Sequence, residues 1–420
     1  MKINNNDLPS NEAPLIVHVP GSKSLTQRAL VAAALAKDNS FIGNALISED
    51  TLHLIDGLRA LGVNILSAFG GFFVSGTAGK IANSGKELFL GNNGTALRFL
   101  TALVCLGKGK YVLTGEPRLC ERPIGALVEA LKSLHVDISC RNNCPPVEIQ
   151  ADGIAGGKII LKNIESSQYV SALLLCAPYT KKGIDLSLQG NIVSAPYIDL
   201  TIAVMSDFGA KINQTSKHEY HVDAGKIYRG CEYYVEGDAS SASYFFLAAA
   251  LLKKTIRVNG ISRKSKQGDI RFLSIMEELG CKVRSGEDWV EVTGGTLAGG
   301  DFSFDLNDMP DMVPTLAVLS AFRKGQTQIN NVAHLRIKES NRLEATATEM
   351  SRIGIEARET PDGLIIQGGI PHPAKIETYN DHRIAMSFAV AGLVVQGIEI
   401  SDRRCVDKSF PEFWGELRKI

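Results

Sequence analysis

A polar, turn-prone cluster that opens an apolar helix occurs six times along this chain of 420 residues, and its spacing leaves few architectures open. The six are PGSKSLTQRALVAAALA from Pro20, GNNGTALRFLTAL from Gly91, SSQYVSALLLCAP from Ser166, EGDASSASYFFLAAALL from Glu236, NDMPDMVPTLAVLSAF from Asn307 and NDHRIAMSFAVAGLV from Asn380. Measured at Gly21, Gly91, Ser166, Gly237, Asn307 and Asn380, the steps are 70, 75, 71, 70 and 73 residues. A second, offset series of helix ends (LRALGVNI, LKSLHVDI, MSDFGAKI, MEELGCKV and MSRIGIEA) turns at Gly62, His135, Gly209, Gly280 and Gly354, at steps of 73, 74, 71 and 74. Two interleaved series with one period describe six copies of a unit of about 70 residues.

The sixth copy overruns the C-terminus. It can be completed only if the N-terminal strand Leu15–Val19 joins the C-terminal helix at Glu412–Leu417, which predicts that both chain ends lie in one domain. A chain of this length is too long for one ordinary core. The division expected is residues 21–237 against residues 1–20 plus 238–420, with EGDASSASYF as the crossing point and Gly237 supplying the freedom of a hinge.

Forty-five basic residues balance forty-five acidic ones, which removes any case for a nucleic-acid partner from global charge. No stretch reads as a signal peptide or membrane span. Eight cysteines without a regular framework fit a reducing, cytoplasmic setting. Cys140 and Cys144 are four apart, but no second pair or histidine motif makes them a metal site. Residues 1–14 read as a soft polar lead, Pro123 as an N-terminal proline just inside a helix, and Pro196 as the start of another. Residues 63–90 hold the short strands NILSAFG, GFFVSG and KELFLG, separated by glycine. The pattern is α/β, with too many short strands for a simple doubly wound sheet.

The polar clusters are rich in anion-binding residues. Gly21, Ser22 and Ser24 surround Lys23 at a helix start, where free backbone N–H groups favour an anion. Arg28, Arg98, Arg118, Arg122, Arg336, Lys338, Arg342, Arg383 and Lys408 recur in comparable places, and guanidinium groups suit phosphate and carboxylate through paired donors. GSKS lacks the spacing of a nucleotide P-loop. Asp311, Glu339 and Asp381 lie in the same kind of loop, where they could move protons beside bound anions. They could equally be helix caps, for Asp311 and Asp381, or an i,i+3 partner of Arg342, for Glu339. From spacing alone the chain is an enzyme or binding protein for a small, multiply anionic ligand held between two repeated domains.

The motifs GSKS, GNNGTALR, GEPRLCERPIG, SSQYVSALL, EGDASSASYF, NDMPD, RIKESNRL, YNDHRIAM and KSFP, in that order from Gly21 to Pro411, resemble those of the 3-phosphoshikimate 1-carboxyvinyltransferase (5-enolpyruvylshikimate-3-phosphate synthase) family. The resemblance implies a two-domain inside-out α/β fold built from six repeated βαβαββ units, three to a domain, that closes on shikimate 3-phosphate before phosphoenolpyruvate enters. By position it implies Lys23, Ser24, Arg28, Ser166, Ser167, Gln168, Ser194, Tyr197, Asp311, His334 and Lys338 as shikimate 3-phosphate ligands. For phosphoenolpyruvate it implies Lys23, Asn92, Gly94, Arg122, Gln168, Arg342, Arg383 and Lys408, and it implies that glyphosate can occupy the same pocket. The catalytic set is Lys23, Asp311, Glu339, His382 and Lys408. Two positions depart from the pattern: His334, where many members carry asparagine, and Phe99, where proline is common.

The reaction so implied is addition of the 5-hydroxyl to C2 of phosphoenolpyruvate with protonation at C3, then elimination of phosphate, by a cytoplasmic monomer without metal or organic cofactor. Two alternatives stand beside it. UDP-N-acetylglucosamine 1-carboxyvinyltransferase places a reactive cysteine several residues before its arginine-proline pair, whereas Cys120 is only two before Arg122. A non-catalytic anion-binding repeat protein would not need Lys23, Asp311, Glu339 and Lys408 together.

Overall fold

Gly62, His135, Gly209, Gly280 and Gly354 all adopt positive φ, with His135 at 66°. Each closes its helix in one way. The amide of Gly62 donates to the carbonyl of Arg59 and that of Val63 to Leu58, and the same paired bonds recur at the other four turns. This is the Schellman closure, which needs a left-handed residue and therefore favours glycine. The second sequence series is a series of these closures.

The computed structural model describes residues 13–68, 70–83 and 85–420. The first twelve residues of the polar lead lie outside them. The second unit shows the plan: strand Leu88–Phe89, helix Gly94–Val104, strand Lys108–Thr114, helix Gly125–Ser133, and the hairpin Asp137–Arg141 and Cys144–Asp152. Its four strands form one sheet in which the first pairs parallel with the second and the rest pair antiparallel. Four further four-stranded sheets repeat that order, and a two-stranded parallel sheet marks the sixth unit.

The first and fourth units exchange their opening strands. Leu15–His18 precedes the helix Lys23–Leu35 but pairs with Thr255–Asn259 of the fourth unit. Glu232–Tyr234 precedes the helix Ala239–Leu252 but pairs with Ser40–Gly43 of the first. The chain thus crosses between bodies twice. Where the crossings pass, Gly21 and Gly237 form an antiparallel bridge, the Ser22 amide donates to Glu236 O at 2.8 Å, and the Asp238 amide donates to Pro20 O at 2.9 Å.

The sixth unit differs from the expectation. Lys375–Ile376 and Glu399–Ile400 form its two strands, and the helix Phe413–Leu417 follows. Leu15–His18 meets that helix, with the His18 amide donating to Glu416 Oε2 at 3.1 Å. It does not enter the sixth unit's sheet: it is the edge strand of the fourth unit's sheet, paired parallel with Thr255–Asn259. Pro123 is a second correction. The helix starts at Gly125 with Ile124 as its cap, and Pro123 lies before it, its carbonyl accepting from Arg98 and from the Tyr169 hydroxyl.

The helices that open the units are buried almost end to end: Leu25–Leu35 in the first, Ala239–Ala250 in the fourth and His382–Ala391 in the sixth. A helix apolar all round belongs inside. The strands alternate instead, as in Cys144–Asp152, whose residues are buried and exposed in turn. Helices therefore fill the interior and sheets face solvent, the inside-out arrangement. One core runs from Leu25 to Val235, and the other gathers Val17 with residues from Ala239 to Leu417. No helix among the described residues is long and apolar enough to cross a membrane.

Candidate active site

The starts of the buried helices converge on a polar cavity of about 70 Å³ between the two cores. Local capping chemistry sets their ends. Asp238 caps two helices at once: one carboxylate oxygen accepts from the Lys23 amide at 3.1 Å and the other from the Ser241 amide at 2.7 Å. Asn93 caps Gly94–Val104 by accepting from the Ala96 amide at 2.9 Å. Asp381 caps His382–Ala391 through the Arg383 amide at 3.0 Å.

Lys23, Ser24 and Arg28 line one side of the cavity. Arg28 is largely committed to the protein. It donates to Thr201 Oγ1, Ser24 O, Ser171 Oγ and Tyr197 O, between 2.8 and 3.3 Å, and its guanidinium carbon lies 5.4 Å from the centre of the Phe99 ring. Burial lowers its pKa to about 10, which leaves it charged at neutral pH. Phe99 is therefore the floor under Arg28, within an unbroken helix.

Ser166, Ser167, Gln168, Ser194 and Tyr197 form the next wall. The Gln168 amide side chain donates to Thr95 Oγ1 at 3.0 Å. Ser194 is held at φ 56°, and its buried hydroxyl has no partner among the described residues. A non-glycine residue in the left-handed region costs energy, and a buried hydroxyl without a partner leaves one donor uncommitted at the cavity wall.

The opposite wall is a charge cluster. One guanidinium, that of Arg342, meets three carboxylates: Asp381 at 2.7 Å, Asp311 at 2.7 Å and Glu339 at 2.8 Å. Arg383 donates to the other oxygen of Asp311 at 2.6 Å, and Arg122 lies 3.9 Å from Glu339. Burial pushes the Asp311 carboxyl up, but Arg383, Arg342 and Lys338 together hold it well below the usual range. Glu339 behaves likewise, burial being overcome by Arg342, Arg122, Lys23 and Lys408. Both are anions at neutral pH. Lys338 is brought down to about 8 by burial, against the pull of Asp311 and Glu339. Asp311 sits in the short 3-10 turn Pro310–Met312 and caps no helix, whereas Glu339 is the i,i+3 partner of Arg342.

Gly94, Arg122, Lys338, Glu339, Arg342 and Arg383 all line the cavity; Asn92, His334, His382 and Lys408 do not. Asn92 and Lys408 lie just behind its wall, the lysine donating to the Asn92 carbonyl at 3.1 Å. His334 is buried, and burial with Lys338 lowers it to about 3. His382 is fully buried and, through burial, Lys23 and Arg383, also held neutral. It therefore offers one N–H and one lone pair, not a charge. The bodies touch across the cleft: Tyr197 OH donates to Asp311 at 3.3 Å, Asn307 to Ile192 O at 2.9 Å, and Arg118 to the carbonyl of Lys338 at 3.1 Å. Asp50, Asn93, Asp238 and Ser240 escaped the sequence reading as site residues, although all four sit in or beside the motifs that mark helix starts.

A family model for EPSP synthase (3-phosphoshikimate 1-carboxyvinyltransferase) matches residues 11–417. The chain belongs to the EPSP synthase family. It is 42% identical over 408 residues to the 3-phosphoshikimate 1-carboxyvinyltransferase of Trichormus variabilis, covering 96% of each chain. The enzyme of that name from Photorhabdus laumondii is 43% identical over 412 residues, covering 96% of this chain and 95% of its own. A solved EPSP synthase from Acinetobacter baumannii superposes with a TM-score of 0.79 at 26% identity, covering 98% of this chain and 97% of that one. Cys120 lies in the 3-10 turn Leu119–Glu121, hydrogen-bonded with the Thr114 hydroxyl and the Gly115 carbonyl, and does not line the cavity.

Proposed function

We infer the reaction and its division of labour as follows. The chain transfers the enolpyruvyl group of phosphoenolpyruvate to the 5-hydroxyl of shikimate 3-phosphate and releases phosphate. The observation that carries the residue roles is the sharing of Arg342 by Asp311 and Glu339 inside a cavity walled by cations. Shikimate 3-phosphate lies against Lys23, Ser24, Ser166, Ser167, Gln168, Ser194 and Lys338, with Arg28 holding Ser24 and Tyr197 in place and His334 behind Lys338. Phosphoenolpyruvate lies against Lys23, Arg122, Arg342 and Arg383, near Gly94 and Asn92, with Lys408 behind.

Asp311 takes the proton of the 5-hydroxyl as its oxygen attacks C2. Phosphoenolpyruvate competes for the arginines that keep Glu339 ionised, so donor binding raises the proton affinity of Glu339. Glu339 then takes up a proton from water before closure is complete and gives it to C3. In the second half, C3 returns a proton to Glu339 while the C2–O bond to phosphate breaks and the proton held by Asp311 passes to the departing phosphate, with Lys23 and the arginines stabilising its charge. His382 packs, neutral, behind Lys23 and Glu339. Closure excludes water from the reacting enol.

We also propose that the bodies divide at residues 20/21 and 237/238, and that the chain works as a cytoplasmic monomer on these two small molecules, without nucleic acid, membrane or cofactor. The balanced charge, the eight free cysteines and a cavity completed within one chain support that reading. Phosphate release from phosphoenolpyruvate, measured with shikimate 3-phosphate or with UDP-N-acetylglucosamine as acceptor, tests it. Release with the amino-sugar nucleotide alone would overturn it.

A further inference from the structure

Asp50 is a buried carboxylate that meets two ammonium groups, that of Lys408 buried and that of Lys23 partly exposed at the cavity wall. Its Oδ2 accepts from Lys23 Nζ at 3.0 Å and its Oδ1 from Lys408 Nζ at 2.6 Å. Lys23 opens the helix Lys23–Leu35 beside the crossings, and Asp50 lies on Glu49–Ala60, in the same body. Lys408 comes from the other body, 358 residues along the chain. The Asp50–Lys408 pair therefore spans the cleft.

The carboxylate is placed rigidly. Asp50 stands in the first turn of its helix, where partial positive charge favours an anion. Ser48 and Thr51 close a reciprocal capping box at that helix start. The Asp50 carbonyl accepts from the Asn93 side chain at 2.6 Å, which ties it to the start of Gly94–Val104. Asp50 is 3% exposed, and Lys408 and Lys23 hold its pKa down against the upward push of burial.

Closing the bodies carries the Lys408 ammonium to the neighbourhood of Lys23. The two cations need a counter-charge there: Glu339 also acts on both but is engaged by Arg342, and in a place largely stripped of water repulsion is much stronger than at the surface. We propose that Asp50 is a positioning residue that supplies this counter-charge, so that the chain closes on shikimate 3-phosphate alone, before the anionic donor arrives. This rests on the enzymatic reading above. Phosphoenolpyruvate then adds its own negative charge to a site already assembled, and Asp50 holds the two lysines at fixed separation.

The test uses the full chain and small-angle scattering with shikimate 3-phosphate, alone or with inorganic phosphate as the second anion. Wild type compacts with shikimate 3-phosphate alone. Asp50→Asn stays open with it and compacts once phosphate is added. Its affinity for shikimate 3-phosphate alone falls by about tenfold, within the usual range of coupling between sites. The double variant Asp50→Asn/Lys408→Met, which removes both members of the cross-cleft pair, compacts again on shikimate 3-phosphate alone. That rescue separates a charge effect from a damaged fold. Compaction of Asp50→Asn on shikimate 3-phosphate alone, failure of phosphate to close it, or a double variant that stays open overturns the inference. A wild-type chain that neither binds shikimate 3-phosphate nor releases phosphate overturns the enzymatic reading instead.

Discussion

Arg342 Nε lies 2.7 Å from Asp381 Oδ2, and the two side chains are 1% and 0% exposed. Asp381 also accepts from the Ser340 hydroxyl at 3.0 Å and caps the helix that carries His382 and Arg383. One carboxylate thus orients two arginines of the cavity wall, one through an ion pair and one through the helix start. Removing Asp381 takes from buried Arg342 one of its three carboxylates and from the next helix its cap, so the combined cost approaches that of breaking a buried pair. Asp381→Ala should lower the unfolding free energy by about 3–5 kcal/mol, read from urea denaturation. An unchanged midpoint would mean that Asp311 and Glu339 alone hold Arg342.

Glu339 faces Arg342 at 2.8 Å and Arg122 at 3.9 Å. If it carries the proton exchanged at C3, Glu339→Gln should lower kcat by about two to four orders of magnitude, the usual range for a lost acid–base group. The KM for shikimate 3-phosphate should stay close to that of wild type, since the amide keeps the volume. Normal turnover would return Glu339 to the role of an ion-pair partner of Arg342.

Lys338 carries a pH signature. Its ordinary value is 10.5, and burial brings it to about 8 in the folded chain. Above about pH 8 the folded lysine loses its charge, so kcat/KM for shikimate 3-phosphate should fall through that pH, since this quantity reports groups of the free enzyme. Stability moves the other way. Between about 8 and 10.5 the unfolded lysine holds a proton that the folded one has released, so this residue's contribution to stability rises with pH. The stability gained by Lys338→Met over wild type should therefore be largest below pH 8 and shrink as pH rises. A gain that does not vary with pH would place the falling limb on another group.

His135 occupies the one closure of the five without glycine, at φ 66°. A side chain in the left-handed region costs about 1–2 kcal/mol, and the extra freedom glycine gives the unfolded chain offsets about half of that. His135→Gly should stabilise the chain by about 0.5–1 kcal/mol, seen as a higher melting temperature with unchanged activity. A lower melting temperature would show that the imidazole makes a compensating contact.

The repeats were legible because each is written in residues that a local backbone geometry demands: a polar cap before each buried helix, and a left-handed residue after each second helix. The exchange of Leu15–His18 and Glu232–Tyr234 between units was not, since a periodic pattern shows that a strand exists and not which sheet edge it joins. The sixth unit misled for the same reason. Most cationic site residues could be named because arginine and lysine beside a helix start have one evident use. The carboxylates were harder. Asp50, Asp238 and Asp381 all read locally as helix-start acids, and their second partners, Lys408, the Lys23 amide and Arg342, are supplied by distant segments.

Gly94 gives the most selective test of the donor pocket. A Cβ built there would lie 2.5 Å from Arg122 Nη2, 2.7 Å from its Cζ, and against Arg98 Nη1. Arg122 is 4% exposed and donates to the Asn92 carbonyl at 3.3 Å, so it can yield only by giving up that bond or its approach to Glu339. With phosphoenolpyruvate held as proposed, alanine at this position should act on it through a displaced guanidinium. A longer anion in the same pocket meets the displaced arginine and the methyl group together. Gly94→Ala should raise KM for phosphoenolpyruvate by about tenfold and Ki for glyphosate by about a hundredfold, a difference near 1.4 kcal/mol. The KM for shikimate 3-phosphate should stay near wild type, because Ser24, Arg28 and Lys338 are untouched. Phe99 does not enter this contact: its ring lies under Arg28, so Phe99→Leu should alter KM for shikimate 3-phosphate and leave Ki for glyphosate in place. Steady-state constants for both variants separate the two effects. If Gly94→Ala weakens substrate and inhibitor by the same factor, displacement of Arg122 accounts for all of the loss and the methyl group adds no crowding of its own.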